Sequence, residues 1–574
     1  MKTVLTYLKP LIPRMLLGIS GKFMGTMAEL FLPLILSHVL KDVVARKSLS
    51  DILYWGLIMT GCAVVAMVCH TIGNRTGAKV SRNFVEKLRG DLFHRTMRLS
   101  AAQTDRFTIP SLESRITTDT YNVYNFVMMM LRAGVRAPLL LLGGIFITMF
   151  MDRYLATVML AVMPILFILV LTISRKGVPL YSKVQKSVDG MIRVVREDTQ
   201  GIRVIKALSK TDYEHRRYDA VNRSLVADEK RAGITMGLVN PIMTALMNGG
   251  IVAVVALSAG RVAAGQSDPE TVIAFMQYFT LISMAMMAVT RMFVMYTKCA
   301  ASAARITQVL EAPEDLVVQS TQDYPDKQPD AHIEFDHVSF SYLSHRNNLQ
   351  DISFSLPRGG SLGIIGATGS GKSTLVRLLM RFYDTDSGSI RINGRDVRTI
   401  PNDERCAMFG LSLQHDFLYA DTIAENIRFG RDLTREQIVQ AAVTAQAHDF
   451  ISAFPDGYEH MLAQKATNIS GGQKQRLLIA RAVAAKPDIL VLDDSSSALD
   501  YKTDAALRQA LARDMKGTTV ITVAQRVSSV KNCDLILVLD EGRVIGSGSH
   551  EHLLATCPEY QEISQSQMGG AFVE

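Results

Sequence analysis

The stretch SLGIIGATGSGKST, residues 361 to 374, decides the architecture of the C-terminal half of the chain. A short apolar run stops at Gly366 and passes into a glycine-rich turn that ends in Lys372, Ser373 and Thr374. Glycines at this spacing let successive backbone N–H groups curl around phosphate oxygens at a helix N-terminus, where the helix dipole also favours anions. Leu375, Leu378, Leu379 and Phe382 follow at helical spacing. A strand, a phosphate-binding turn and a helix in this order form a P-loop. Gly366, Thr368, Gly369, Ser370, Gly371, Lys372, Ser373 and Thr374 are therefore expected to bind a nucleotide, with Lys372 on the β- and γ-phosphates and Ser373 on Mg²⁺.

Outward from the P-loop the pattern is that of an α/β domain. IEFDHVSFSY alternates as a strand does, and SIRINGRDV carries the Asn-Gly signal of a tight hairpin. Strands then alternate with helical segments, which predicts a largely parallel sheet. ILVLDDSSSALD, residues 489 to 500, is a second apolar strand that ends on Asp493 and Asp494. A strand ending in a carboxylate is the other half of a P-loop site, so Asp493 is expected to hold the metal, directly or through water. Upstream, the polar, Pro-containing STQDYPDKQPDAH (320–332) reads as a linker, giving domains at 1–319 and 333–574.

The first of these domains is of another kind. The chain has 574 residues, 48% of them hydrophobic, which is too long for one core and too apolar for an ordinary soluble enzyme. Six candidate membrane spans can be drawn, near Leu16–Leu40, Ile52–Arg75, Tyr121–Phe150, Tyr154–Ser174, Gly233–Gly260 and Thr271–Thr297. The links after the second and fourth are long and basic, with nine Lys or Arg between Arg75 and Asp119 and fourteen between Arg175 and Arg231. The short link after the first span has only Lys41, Arg46 and Lys47, and that after the fifth only Arg261. Because Lys and Arg mark the cytoplasmic side, the long links, both termini and the P-loop domain are expected there.

The long links themselves read as helices. EKLRGDLFHRTMRL spaces Leu88, Leu92, Phe93, Arg95 and Met97 as an amphipathic helix, so membrane helices should continue into the cytoplasm. They should turn back near TDRFTIPSLESR and LSKTDYEHRR. The expected fold is thus a membrane all-α six-helix transmembrane domain plus a cytoplasmic α/β P-loop ATPase domain. No removable signal peptide is expected, because Lys9, Pro10 and Arg14 interrupt the first apolar run. The six scattered cysteines have neither disulfide nor zinc-site spacing.

Three features inside the spans bear on what is carried. Glu29 is an intramembrane acid, which is costly and usually faces a cavity or a partner. Arg132 and Arg136 could meet an anionic substrate, but near the cytoplasmic end of the third span they are expected to snorkel to lipid headgroups. Met236, Met243, Met247, Met276, Met284, Met286, Met287, Met292 and Met295 enrich the last two spans. Such soft side chains suit either an adaptable cavity or gap-filling between helices.

Between P-loop and chain end lies NISGGQKQRLLIARAVAAKPDILVLDD, and here the sequence resembles the ATP-binding cassette (ABC) transporters with six membrane helices fused to one nucleotide-binding domain. ISGGQ (469–473) is similar to that family's LSGGQ signature, and P-loop, signature, Asp493 and SALD (497–500) occur in family order. The resemblance implies ATP and Mg²⁺ as cofactors and further roles by position. Tyr342 would stack on adenine, and Gln414 would touch Mg²⁺. Ser470, Gly471, Gly472 and Gln473 would contact the nucleotide of an opposite domain, and Asp500 would bridge the two sites. It further implies ATP-driven transmembrane transport by a multi-pass protein of a bacterial inner membrane, with a lipid bilayer and a second half-transporter as partners and no nucleic acid. A P-loop repair ATPase is excluded by the spans.

Two positions depart from the family. The residue after the metal Asp is Glu in a competent cassette and here is Asp494, one methylene shorter. The family's switch histidine is here Gln525, which hydrogen-bonds but carries no proton near pH 7. Both changes blunt one catalytic centre while the phosphate-binding residues remain. The resemblance therefore implies a heterodimer, with a degenerate site on this chain and a competent one completed by its ISGGQ. Export of amphipathic small molecules, lipids or peptides is expected. Import on the same scaffold, as in siderophore systems, and a regulatory ATP-clamp subunit are the alternatives.

Overall fold

The computed structural model describes residues 1–44, 48–264, 268–328, 331–342, 348–414 and 417–568. Arg46 and Lys47 of the first short link lie outside them. By contacts the chain divides into two units, Met1–Arg98 with Thr108–Ala312, and Leu99–Phe107 with Pro313–Glu574. The second unit therefore takes in both the linker expected at 320–332 and a short segment from the first long link. Backbone bonding explains the early boundary: Gln319 N–H donates to the Arg398 carbonyl, Lys327 N–H to that of Gly394, and Arg381 Nη2 to that of Val317.

The first unit is all helix. Among the described residues, five helical stretches are long and apolar enough to cross a membrane: Lys2–Val43, Leu49–Met97, Ile109–Met151, Thr211–Ala263 and Pro269–Leu310. The remaining expected span, Tyr154–Ser174, lies in the helix Arg153–Gln200, whose apolar part among the described residues is Arg153–Ile165. Ser48 caps Leu49–Met97 by accepting from Asp51 N–H, and Asp152 caps Arg153–Gln200 by accepting from Tyr154 and Leu155 N–H. The 49 residues of Leu49–Met97 span about 73 Å at 1.5 Å per residue, more than twice a bilayer core of about 30 Å. Each such helix must run far beyond the membrane.

Two expected spans are interrupted, and proline is the cause in both. The third is split into Thr120–Ala133 and Arg136–Met151, and the fifth breaks at Leu238 between Thr211–Gly237 and Val239–Ala263. Pro138 and Pro241 lack an N–H and their rings clash with the carbonyl four residues back, at Gly134 and Gly237. At the two expected tips the chain bends at residues with positive φ, Thr108 (64°) and Ser209 (51°). The amphipathic stripe of Leu49–Met97 runs through Val80, Phe84, Leu88 and Leu92, all buried, whereas Phe93 and Met97 are exposed and do not share that face. In the membrane half the core gathers Leu30, Leu155, Met159, Phe275, Tyr278 and Ile282.

Arg136 corrects the headgroup expectation. Its Nη2 lies 2.5 Å from Glu29 Oε1 and its Nε 3.1 Å from Oε2, so the intramembrane acid and this arginine form a bidentate pair. His70 Nε2 sits 3.3 Å from the same carboxylate.

Among its described residues the second unit has two sheets. One is antiparallel, in the order β2-β1-β4-β5, with β1 Ile333–Phe340, β2 Leu349–Leu356, β4 Ser387–Ile392 and β5 Arg395–Asp396. Asn393 and Gly394, both at positive φ, make the expected β4–β5 hairpin turn. The other runs β10-β9-β3-β8-β7-β6, with β3 Ser361–Gly366, β6 Phe409–Ser412, β7 Ile489–Asp493, β8 Thr519–Val523, β9 Leu535–Asp540 and β10 Arg543–Gly548. It is parallel except for β10. Strands β3 and β7 are apolar nearly throughout because both faces are covered.

Candidate nucleotide site

Strand order, not sequence order, assembles the site. β3, β8, β7 and β6 are neighbours running in parallel, so the residues just past their carboxyl ends share one edge of the sheet. Those residues are the P-loop after β3, Gln525 after β8, Asp493 and Asp494 at the end of β7, and Gln414 after β6. Ligands of open α/β sheets bind at this edge. Here it forms a cleft lined by Asn348, Thr368, Gly369, Gly371, Lys372, Ser373, Thr374, Gln414, Asp493, Asp494 and Gln525, among others.

Within the P-loop two glycines are dictated by geometry. At Gly366 a Cβ would run into the Leu539 carbonyl oxygen, and at Gly371 (φ 103°) it would lie 2.6 Å from Leu349 Cδ2. Any side chain there would displace the loop. Gly371 leads directly into the helix Lys372–Leu379. Lys372 Nζ donates to the carbonyls of Gly366 and Ala367, at 2.9 and 2.7 Å, which holds the ammonium over its own loop. Burial pushes its pKa down, opposed by the Asp493 and Asp494 charges. The Ser370 hydroxyl is buried beneath the loop and makes no hydrogen bond.

The two acids differ in setting. Asp493 is buried, and desolvation raises its pKa although the Ser373 hydroxyl donates to it. Asp494 is half-buried with φ 51°, and its N–H donates to the Val523 carbonyl at 2.9 Å, tying the end of β7 to β8. Its pKa is also raised by burial, with Lys372, Arg526 and a hydrogen bond from Gln414 acting the other way. The Ser373 hydroxyl, Gln414 amide and Asp493 carboxylate are hard oxygen donors of the kind Mg²⁺ takes together with substrate phosphates. The Gly-lined turn and half-buried Lys372 fit a polyphosphate.

A raised Asp493 pKa means that the folded state holds this proton more tightly than the unfolded chain. Its contribution to stability therefore falls as pH rises from the ordinary carboxylate range through the raised value. Asp493→Asn is accordingly expected to raise the melting temperature of the nucleotide-free protein at pH 7 by a few degrees and to flatten its acid-side pH dependence. A variant that melts lower than the parent at pH 7 would contradict the burial argument. Thermal scans from pH 4 to 8 decide it.

The remaining expected residues sit elsewhere. Tyr342 sits at the margin of the cleft: its hydroxyl lies 3.3 Å from Oγ1 of Thr374, which lines it, and its ring packs edge-on against Phe340 and Tyr383. Ser470 and Gln473 form a capping box at the start of the helix Gly471–Val483, outside the P-loop cleft of the same chain. Asp500 caps Tyr501–Asp514, accepting from Thr503 N–H and Oγ1, and these bonds hold its pKa below the usual carboxylate range.

Sequence reading missed the residues that connect these parts. Gln475, on the signature helix, donates to Ser497 Oγ at 3.1 Å and accepts from Ala498 N–H at 3.0 Å, fastening ISGGQ's helix to the loop after Asp494. Gln567, on the last helix, accepts from Val527 N–H and donates to the Gln525 carbonyl, both at 2.8 Å, and so fixes the backbone that carries Gln525. Asn348 Oδ1 accepts from Tyr342 N–H while its own N–H donates to Phe340. None of the three belongs to a local pattern.

A helical membrane unit and an α/β unit with a P-loop cleft define the class, a membrane transport ATPase. Residues 15–286 match the family model of the ABC transporter transmembrane region and residues 349–497 that of the ABC transporter. The sequence is 33% identical over 561 residues to an uncharacterized ABC transporter ATP-binding protein of Mycobacterium tuberculosis, covering 96% of this chain and 95% of the relative. It is 34% identical over 573 residues to the uncharacterized ABC transporter ATP-binding protein YfiB of Bacillus subtilis, covering 99% of each. The chain belongs to the ABC transporter family. Its fold is similar to that of a bacterial Atm1-family ABC exporter solved with ATP bound, with a TM-score of 0.80 over 99% of each chain at 23% identity.

Proposed function

We propose that the chain is one half of a two-chain ATP-driven exporter in a bacterial inner membrane, with six spans and with both termini and the nucleotide-binding domain in the cytoplasm. On this reading its own P-loop site binds ATP and Mg²⁺ but hydrolyses slowly, and its ISGGQ completes a competent site on a different chain. Bound Mg·ATP supplies the phosphoanhydride whose cleavage drives the cycle. The chain's residues divide the remaining work. The P-loop N–H groups and Lys372 hold the phosphates; Ser373, Gln414 and Asp493 are the metal donors; Tyr342 meets the adenine and Asp500 the opposite site.

The observation that carries the reading is the shared position of Asp494 and Gln525. Both line the cleft beyond the ends of adjacent strands β7 and β8, so one missing methylene and one missing proton carrier affect the same attacking water. The amphipathic cargo follows from the apolar, Met-rich helices of the membrane unit.

The test is ATP turnover by the chain alone and together with a candidate partner half-transporter from the same organism. Turnover is expected in the pair and near background in the lone chain. Full-rate hydrolysis by the lone chain, abolished by Asp494→Asn, would sink the proposal.

A further inference from the structure

A second cavity, of about 270 Å³, lies within the membrane unit between the helices Ile12–His38, Leu49–Met97, Thr120–Ala133, Arg136–Met151 and Pro269–Leu310. Its polar wall is Lys22, Asn74, Arg132 and Arg136, and its apolar wall includes Leu140, Leu281 and Met284. The charges do not cancel. Glu29 is committed to Arg136, with His70 Nε2 as its third contact. Among the described residues no carboxylate lies within ion-pair distance of Lys22 or Arg132.

Lys22 is only 3% exposed, and the packing makes room for it. A Cβ on Gly73 would come within 2.9 Å of Lys22 Cγ, and one on Gly25 within 3.0 Å of His70 Nδ1. His70 Nδ1 is itself buried without a hydrogen-bond partner. A buried Lys22 with no carboxylate partner and a stranded imidazole nitrogen are costly at membrane depth, and such groups mark a ligand path; the exposed Arg132 adds its charge to the same cavity wall. Depth agrees. At about 1.5 Å per residue, Lys22, Arg136 and Met284 lie about 22–24 Å from the short-link ends of their helices, in the inner part of a core about 30 Å thick. An amphiphile entering from the inner leaflet would bring its head to Lys22 and Arg132 and its tail along Leu281 and Met284.

We propose that this cavity seats the anionic phosphate or carboxylate head of a single-tailed amphiphile, which is the transported substrate. The word substrate rests on the transport reading above; the anion site does not. Arg136 is held by Glu29 as the fixed wall, and Lys22 and Arg132 are the specificity-determining residues.

The test uses the full-length chain, with the half that co-purifies, in phosphatidylcholine nanodiscs, and radiolabelled dodecyl phosphate as probe. Saturable binding is expected, at least tenfold weaker in Lys22→Gln and in Arg132→Gln, and within about threefold of the parent in Arg132→Lys. Dodecyltrimethylammonium should not compete. Arg132 is exposed, so its variant tests the site even if Lys22→Gln perturbs packing. Equal binding by parent and both Gln variants, or equal competition by the cationic amphiphile, overturns the site. ATP-driven movement of a cationic dye without dodecyl phosphate binding overturns the cavity alone and spares the transport reading. Displacement of the probe by phosphatidylglycerol, with no ATP-driven movement of any amphiphile in proteoliposomes, makes the cavity a resident-lipid site and overturns the substrate assignment.

Discussion

Asp494→Glu combined with Gln525→His is expected to raise ATP turnover at this chain's own P-loop about a hundredfold. The measurement needs the competent site silenced. Ser470→Arg in this chain does so, because it blocks the ISGGQ proposed to complete the partner's site. Lengthening the carboxylate by one methylene advances it by about 1 Å, and displacements of that size alter rates by about 10². Histidine adds a group that can exchange a proton near neutrality. The backbone at 525 stays in place, since Gln567 holds the Gln525 carbonyl and Val527 N–H. A stability cost accompanies the gain. Asp494 has φ 51°, a conformation that short polar side chains tolerate and a longer one does not, at about 1–2 kcal/mol. The double variant should therefore hydrolyse faster and melt a few degrees lower. Unchanged turnover would mean that the site is limited by something other than these two side chains.

The nucleotide half was largely legible because its signals are local. GATGSGKST carries its own conformation in Gly366 and Gly371, and ILVLDD announces a buried strand by four consecutive apolar residues. What the sequence does not carry is strand order. Gln414, Asp493 and Gln525 meet only because β6, β7 and β8 are neighbours, a fact of long-range pairing. Gln475 and Gln567 escaped for the same reason: a glutamine has no periodicity, and its role appears only once the partner backbone is beside it.

The membrane half was legible in hydropathy and opaque in pairing. Apolar runs locate helices, yet they do not say which faces meet, so Arg136 was expected at the headgroups when its partner Glu29 lies on another helix, 107 residues away. The breaks at Gly134 and Leu238 had a readable signal in Pro138 and Pro241. It is outweighed in a hydropathy scan by the apolar residues on either side.

Arg305→Ala is expected to cost about 3–5 kcal/mol. Arg305 lies 36 residues along Pro269–Leu310, about 54 Å from its start and so beyond a core of about 30 Å. There it pairs with Asp119, Nε to Oδ2 at 2.8 Å, while Ser302 Oγ donates to Oδ1 at 2.8 Å. The burial is unequal. The Asp119 side chain is 1% exposed and that of Arg305 is 48% exposed. Removing the arginine leaves a carboxylate in the packed interior with the Ser302 hydroxyl as donor and only the more distant charge of Arg115 to offset it. Removing the acid, as in Asp119→Asn, leaves a guanidinium that water can reach and an amide that still bonds Ser302, a loss of about 1–2 kcal/mol. The loss should be visible as a large drop in melting temperature for Arg305→Ala and a small one for Asp119→Asn, each read on the detergent-purified chain. Because Arg115 also donates to the Arg305 carbonyl, at 2.9 Å, the backbone anchor survives the substitution, so the drop reports the charge. Adding Asp119→Asn to Arg305→Ala should then restore most of the loss. Equal drops from the two single variants, with no recovery in the double, would assign the cost to helix packing instead of to the stranded carboxylate.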